Sequence, residues 1–321
     1  MNKQESNNLV ERKVIRRMFT TVIFLAFSVF IAGNVFGQKT SKETKYSSFK
    51  VEVTGQGKPM ILIPGLSSSG EVWESTVARY KANYECHVLT LAGFAGQPAI
   101  KAPFLEKVRI DLAAYIREKN LKKPTIVGHS LGGFMALWLA SVEPDLTGRL
   151  VIVDSLPFLG ALNNPNATPE TIKPQAEAMR KGITATTQSD EQRRQAQIGI
   201  LQTMISDPAK IALATEWGVK SDPGAIGQAM YEMFTTDLRP SLSRIKSPTL
   251  IIGTWAAYQQ YTTRAAVEKT FQDQYANLPG YRFVMSEAGK HFVMYDDPKL
   301  LFSEMDAFLT DAGEKGKKSV K

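Results

Sequence analysis

From Lys50 onward, short apolar runs alternate with longer stretches whose apolar residues recur every three or four positions. Runs of the first kind predict strands at 49–53, 60–63, 87–91, 125–127, 150–154, 249–253 and 281–285. The first alternates in and out, as a strand with one wet face does, and the central ones are apolar throughout, as strands covered on both faces are. Helical spacing lies between them at 71–83, 104–120, 131–141, 264–278 and 298–309. This alternation predicts an α/β fold, a mostly parallel, doubly wound sheet with helices on both faces. The strands at 150–154 and 249–253 are separated by far more chain than an ordinary crossover needs. That interval holds helical stretches at 169–181, 190–205 and 208–217, divided by Asn, Pro, Gly and Ser, so residues 156–245 are expected to form a helical cap. The core is then 38–155 together with 246–310.

The ends depart from this pattern. Arg12, Lys13, Arg16 and Arg17 precede an apolar run from Met18 to Phe36, with Gly37 and Val35 where a signal peptidase requires small residues. Residues 1–37 are therefore expected to be a signal peptide, with a secreted or periplasmic mature protein. The alternative is an uncleaved anchor touching the membrane through residues 18–36, since that run is close to the ~20 residues that span a bilayer. Residues 311–321 form a lysine-rich tail expected to lack structure.

Composition narrows the function classes. The whole chain carries 39 Lys and Arg against 31 Asp and Glu, and removing residues 1–37 leaves 34 against 29, a modest +5. With no basic stripe interleaved with aromatics, nucleic acid is not an expected partner. Cys86 is the only cysteine and falls in an apolar strand, which excludes an internal disulfide and any cysteine-based metal cluster.

The candidate chemistry begins at Gly128-His129-Ser130-Leu131-Gly132, a G-x-S-x-G pattern between a predicted strand and an apolar helix. A serine on so tight a turn adopts strained backbone angles, and its neighbours two residues away must be small for strand and helix to pass closely. A serine hydroxyl also needs a base to take its proton as it attacks. Three histidines are available. His87 sits in a strand and is expected to be structural, and His129 lies inside the turn with its side chain directed away from the attack line. His291 follows the last strand, in the kind of loop at the carboxyl edge of a parallel sheet where site residues gather, and is the expected base.

These segments resemble those of the α/β-hydrolase superfamily, over about Lys50 to Leu309. Ile63-Pro64-Gly65-Leu66 is similar to the superfamily's oxyanion loop, with proline where histidine is common. The resemblance implies that the backbone N–H groups of Leu66 and Leu131 face the oxyanion of a tetrahedral intermediate. Leu91-Ala92-Gly93-Phe94-Ala95-Gly96 resembles a D-x-x-G-x-G loop without its acid, and 289–298 resembles the histidine loop, with Asp296 at a helix start. In most relatives an aspartate follows the strand at 250–253, but here the chain reads Gly253-Thr254-Trp255-Ala256-Ala257-Tyr258. Asp154, at the end of the preceding strand, is the expected replacement, as in some superfamily members; a cap at the strand end is its alternative role.

The resemblance implies a serine hydrolase that cleaves a small-molecule carboxylic ester, or an amide, through an acyl-enzyme on Ser130 and without a cofactor. Trp73, Phe158, Trp255 and Tyr258 are the aromatic residues expected around the substrate. Aminopeptidase, lactonase and carbon–carbon bond hydrolase activities keep the same serine and stay open. So does a slow or inactive ligand-binding protein on this scaffold, favoured by the missing acid.

Overall fold

The computed structural model describes residues 46–162, 164–185 and 187–310. The expected signal segment or anchor and the lysine-rich tail lie outside the described residues. A seven-stranded sheet forms the centre, built from β1 (Phe49–Gly55), β2 (Lys58–Ile63), β3 (Tyr84–Leu91), β4 (Thr125–His129), β5 (Arg149–Val153), β6 (Thr249–Thr254) and β7 (Arg282–Ser286). Their order is β1-β3-β2-β4-β5-β6-β7. Only β1 runs antiparallel, pairing with β3 from Phe49 opposite Leu91 to Gly55 opposite Glu85. It is the exposed edge that its alternation predicted.

The six parallel strands place their carboxyl ends along one rim. Between β2 and β4 the direction of strand succession reverses, which opens the crevice where open α/β sheets seat their chemistry. Ile61, Leu62, Ile63, Ile126, Val127, Val151, Ile152, Val153, Ile251 and Ile252 are wholly buried, as strands covered on both faces must be. Core helices α1 (Glu74–Tyr80), α2 (Phe104–Glu118) and α3 (Leu131–Val142) alternate with the strands. A 3₁₀ turn over Gly70–Trp73 leads into α1, which accounts for the longer helical stretch predicted there.

Between β5 and β6 stand four helices, α4 (Pro169–Thr184), α5 (Asp190–Met204), α6 (Pro208–Val219) and α7 (Pro223–Thr235). Side-chain caps fix their starts: Thr168 and Ser189 form capping boxes with Thr171 and Gln192, while Asp207 and Asp222 accept from Ala209 and Ala225. The predicted helices of this interval correspond to α4, α5 and α6; α7 is an additional one. α4 packs against α7, and α5 against α6. After β6 the chain forms α8 (Arg264–Gln274), a single turn α9 (Val293–Asp296) and α10 (Pro298–Thr310). No helix among the described residues is long and apolar enough to cross a membrane.

The cap is tied firmly to the core. Glu232 of α7 is buried, and its two carboxylate oxygens accept the Phe104 and Leu105 N–H groups at 2.7 and 2.6 Å. Pro103, which precedes α2, makes no side-chain cap of its own, so a cap residue satisfies two orphan donors of a core helix. Hydrogen bonds to a charged group contribute about 1.5–3 kcal/mol each. At the other end of α7 the Gly93–Gly96 turn meets the α6–α7 junction: Asp222 N–H donates to the Gly93 carbonyl at 2.7 Å, and Ala95 N–H to Ser221 Oγ at 2.9 Å. A Cβ on Gly93 would lie 2.3 Å from that of Ala225, so only glycine permits this approach.

Candidate active site

Ser130 joins β4 to α3 with φ 52° and ψ −119°, a conformation that side chains other than glycine rarely adopt. What enforces it is close packing of strand, helix and the loop after β2. A Cβ on Gly128 would lie 2.2 Å from the Gly132 carbonyl oxygen, and one on Gly132 would lie 2.1 Å from that of Ile63. The strained turn is anchored by Ser130 N–H, which donates to Val153 at 2.9 Å.

The same packing brings the loop after β2 against the serine, since a Cβ on Gly65 would approach Ser130 Cβ to 3.3 Å. Leu131 opens α3, so its N–H is one of the helix's orphan donors at the positive end of the dipole. Neither the Leu66 nor the Leu131 N–H has a backbone partner among the described residues. Ser67, just after Leu66, also has a positive φ of 55°.

Asp154 follows β5 and is buried, with φ 44°; its N–H donates to Ile252 at 2.7 Å. Its side chain has two partners. Oδ1 accepts the Thr254 N–H at 3.1 Å, and Oδ2 lies 2.6 Å from His291 Nδ1. One oxygen thus fixes the end of β6 while the other meets the imidazole. Because a carboxylate accepts, Nδ1 carries a proton, and in the neutral imidazole Nε2 then keeps its lone pair. Neither Ser130 Oγ nor His291 Nε2 has a hydrogen-bond partner among the described residues. Such contacts often tighten only when substrate binds.

The other two histidines are buried, and each has a definite place. His87 Nδ1 is 2.7 Å from the Tyr115 hydroxyl and its Nε2 faces Glu85, so it braces β3 against α2. His129 donates its Nε2–H to the His291 carbonyl at 3.0 Å, and its ring lies 4.6 Å from that of His291 and 4.7 Å from that of Phe292. Wholly buried, it supports the histidine loop through that carbonyl. Burial, reinforced by the neighbouring His291, holds its pKa well below the ordinary 6.5. The folded protein therefore keeps His129 neutral, while the unfolded chain protonates it near 6.5. Stability attributable to this group is present above that value and is lost as pH falls. Urea denaturation should show stability falling as pH is lowered from about 7.5 to 5.5, a fall that is absent in His129→Gln.

Placement of the four aromatic candidates differs from expectation for two of them. Trp73 and Phe158 are wholly buried, and their surface is used in packing: Trp73 lies in the cluster with Leu62 and Val153, and Phe158 packs with Ala161, Ala167 and Ile172. The Arg239 guanidinium covers the Phe158 ring at 4.8 Å. Large apolar side chains around a cap are readily taken up by the protein's own core, and sequence spacing does not separate them from pocket residues. Trp255 is half-buried and donates Nε1–H to Glu287 at 2.8 Å. Tyr258 is half-buried, and desolvation together with the Asp154 carboxylate pushes its hydroxyl pKa up. Asp296 is not the start of the last helix either. Asp297 accepts the Leu300 N–H at 3.3 Å, which leaves the Asp296 carboxylate free for other partners. Among the described residues no group of His, Cys, Asp and Glu could hold a metal ion, and Cys86 is a free, buried thiol.

Comparison with known proteins agrees with this architecture. The sequence profile of the Alpha/beta hydrolase family matches residues 60–304. A pimeloyl-acyl-carrier-protein methyl ester esterase of Vibrio atlanticus is 34% identical over 113 residues, 35% of this chain and 42% of that protein. The match therefore spans less than half the length of that relative. The enzyme of the same name from Legionella pneumophila strain Paris is 23% identical over 258 residues, 79% of this chain and 96% of that protein. Among solved structures, an enol-lactonase from Burkholderia xenovorans LB400 superposes with a TM-score of 0.66 at 18% identity, covering 82% of this chain and 96% of the other.

Proposed function

We propose that this chain, which belongs to the alpha/beta hydrolase family, is a serine hydrolase that cleaves a small-molecule carboxylic ester through an acyl-enzyme on Ser130. The observation that carries the reading is the 2.6 Å contact between Asp154 and His291 Nδ1, which leaves Nε2 able to accept a proton at the rim where the strained Ser130 turn ends β4. In the first half-reaction Ser130 Oγ attacks the ester carbonyl carbon as its proton passes to His291 Nε2. The carbonyl oxygen gains negative charge and takes hydrogen bonds from the Leu66 and Leu131 N–H groups; loss of one such donor typically raises the barrier by about 3–4 kcal/mol. Collapse expels the alcohol, which receives the proton from His291. Water then attacks the acyl carbon with His291 again as base, and the carboxylic acid leaves with Ser130 restored.

Relatives named as methyl ester esterases support an ester over an amide. The ligand-binding alternative drew on the missing acid after Gly253, and with Asp154 against His291 no observation favours it. The basic and then apolar pattern of residues 1–37 supports a secreted or periplasmic enzyme, or one anchored by that segment.

The test is active-site labelling. The purified chain should react stoichiometrically with a fluorophosphonate at Ser130, with no labelling of Ser130→Ala and severe slowing in His291→Ala. In parallel, a screen of p-nitrophenyl esters, lactones and aminoacyl amides would identify the preferred bond. Absence of labelling in the parent protein would overturn the reading.

A further inference from the structure

The loop that carries His291 is bound on both sides to one short piece of the cap, the turn between α5 and α6. Lys290 Nζ donates to the carbonyl oxygens of Gln202 at 2.8 Å and Ile205 at 3.4 Å. Gln202 lies in the last turn of α5 and Ile205 is its C-terminal cap, where carbonyls have no helical partner and the helix dipole is negative, so an ammonium group matches them in hydrogen bonding and in charge. On the other side of the histidine, Phe292 N–H donates to Met204 at 3.2 Å. Asp296 completes the set: Oδ1 accepts the Ser206 N–H at 3.0 Å, and Oδ2 accepts the Ser206 hydroxyl at 3.2 Å and the Lys290 N–H at 3.1 Å. The same carboxylate thus joins the cap turn to the residue immediately before His291.

We infer that Lys290 and Asp296 are positioning residues, through which the cap segment Gln202–Ser206 holds His291 in line between Asp154 and Ser130. The inference rests on the reading of His291 as general base. The core holds His291 by few other bonds, chiefly Asp154 at Nδ1 and the His129 Nε2–H at its carbonyl. Gly289 N–H donates to Ser286 Oγ at 2.8 Å and Phe292 is buried in the core, and to these anchors the cap turn adds restraint on either side of the imidazole, at Lys290 and at Phe292. A misplacement of about 1 Å in a reacting group costs on the order of 100-fold in rate, so a loop freed from the cap would slow the chemistry without loss of any reacting atom. Cap and base then act as one unit, and a displaced cap is felt at the proton-transfer step.

The experiment compares the full-length parent with Lys290→Met, Asp296→Asn and the conservative Lys290→Arg. Lys246→Met, which alters an exposed pair with Asp145, serves as the remote control. The readouts are the second-order rate of fluorophosphonate labelling at Ser130, kcat and KM on a short p-nitrophenyl ester, and the low-field proton resonance of the His291 Nδ1–H facing Asp154. Lys290→Met and Asp296→Asn should each slow labelling and kcat about 10- to 100-fold, with KM within about threefold and the low-field signal lost or shifted. Lys290→Arg should return most of the rate, and Lys246→Met should match the parent. Labelling of both Lys290→Met and Asp296→Asn within about twofold of the parent, with the proton signal unchanged, would overturn the inference and leave the hydrolase reading intact. Should Lys290→Met fail to fold, Asp296→Asn and Ser206→Ala, which deletes only the 3.2 Å hydroxyl bond, decide by the same readouts. A parent chain that does not label would instead remove the reading on which the inference rests.

Discussion

Replacing Asp154 by asparagine is expected to lower kcat about 10⁴-fold with the fold preserved. The direction follows from how the side chain is held. Thr254 N–H requires an acceptor at the Oδ1 position, so an asparagine there keeps its oxygen on that side and turns its amide nitrogen toward His291 Nδ1. An N–H aimed at Nδ1 selects the imidazole tautomer protonated on Nε2. That tautomer cannot take the proton of Ser130. Steady-state kinetics on the best ester from the screen checks the result, with thermal melting to show that the Thr254 contact survives. Turnover within about tenfold of the parent would place the acid elsewhere.

Ser130→Ala is expected to have the largest effect, about 10⁶-fold in kcat, because no neighbouring group can replace the lost nucleophile. More informative is the double variant with Asp154→Asn. Residues that act as one unit lose their function together, so the second change should add almost nothing to the first. Single-turnover assays on the three variants provide the comparison. A further loss of several hundredfold in the double variant would show Asp154 serving a second purpose, independent of the serine.

Much of the site could be read from the sequence because it lies where chain direction and residue size constrain it. Glycines at 128 and 132 around a serine between strand and helix leave few geometries open, and the structure packs those glycines against the Gly132 and Ile63 carbonyls. The strand-end position of Asp154 was equally visible. Its dual use of the two carboxylate oxygens was not, since this depends on the register that sets Val153 beside Ile252. The aromatic candidates show the reverse case. Periodicity reports that a large apolar residue faces inward, and Phe158 and Trp73 do, but it does not say whether inward means substrate or core. Helix α7 was hidden by Gly224 and Gly227, and the latter sits against the Arg180 carbonyl of α4 at a distance of 3.0 Å from its would-be Cβ. Adjacent acids at 296 and 297 look interchangeable in sequence; only the α5–α6 turn, some 90 residues earlier, distinguishes them.

The carboxylate of Glu232 has a bearing on how such proteins diversify. A core helix that borrows its N-terminal partner from a residue more than a hundred positions downstream cannot be finished on the ribosome until that residue has emerged. Nor can the cap be exchanged freely between relatives: a grafted segment without an acid at this point would leave Phe104 and Leu105 with stranded amide protons. Chimeras that retain Glu232 together with its Gln228 neighbour, which donates to it at 2.6 Å, are the ones that inherit a ready-made seam.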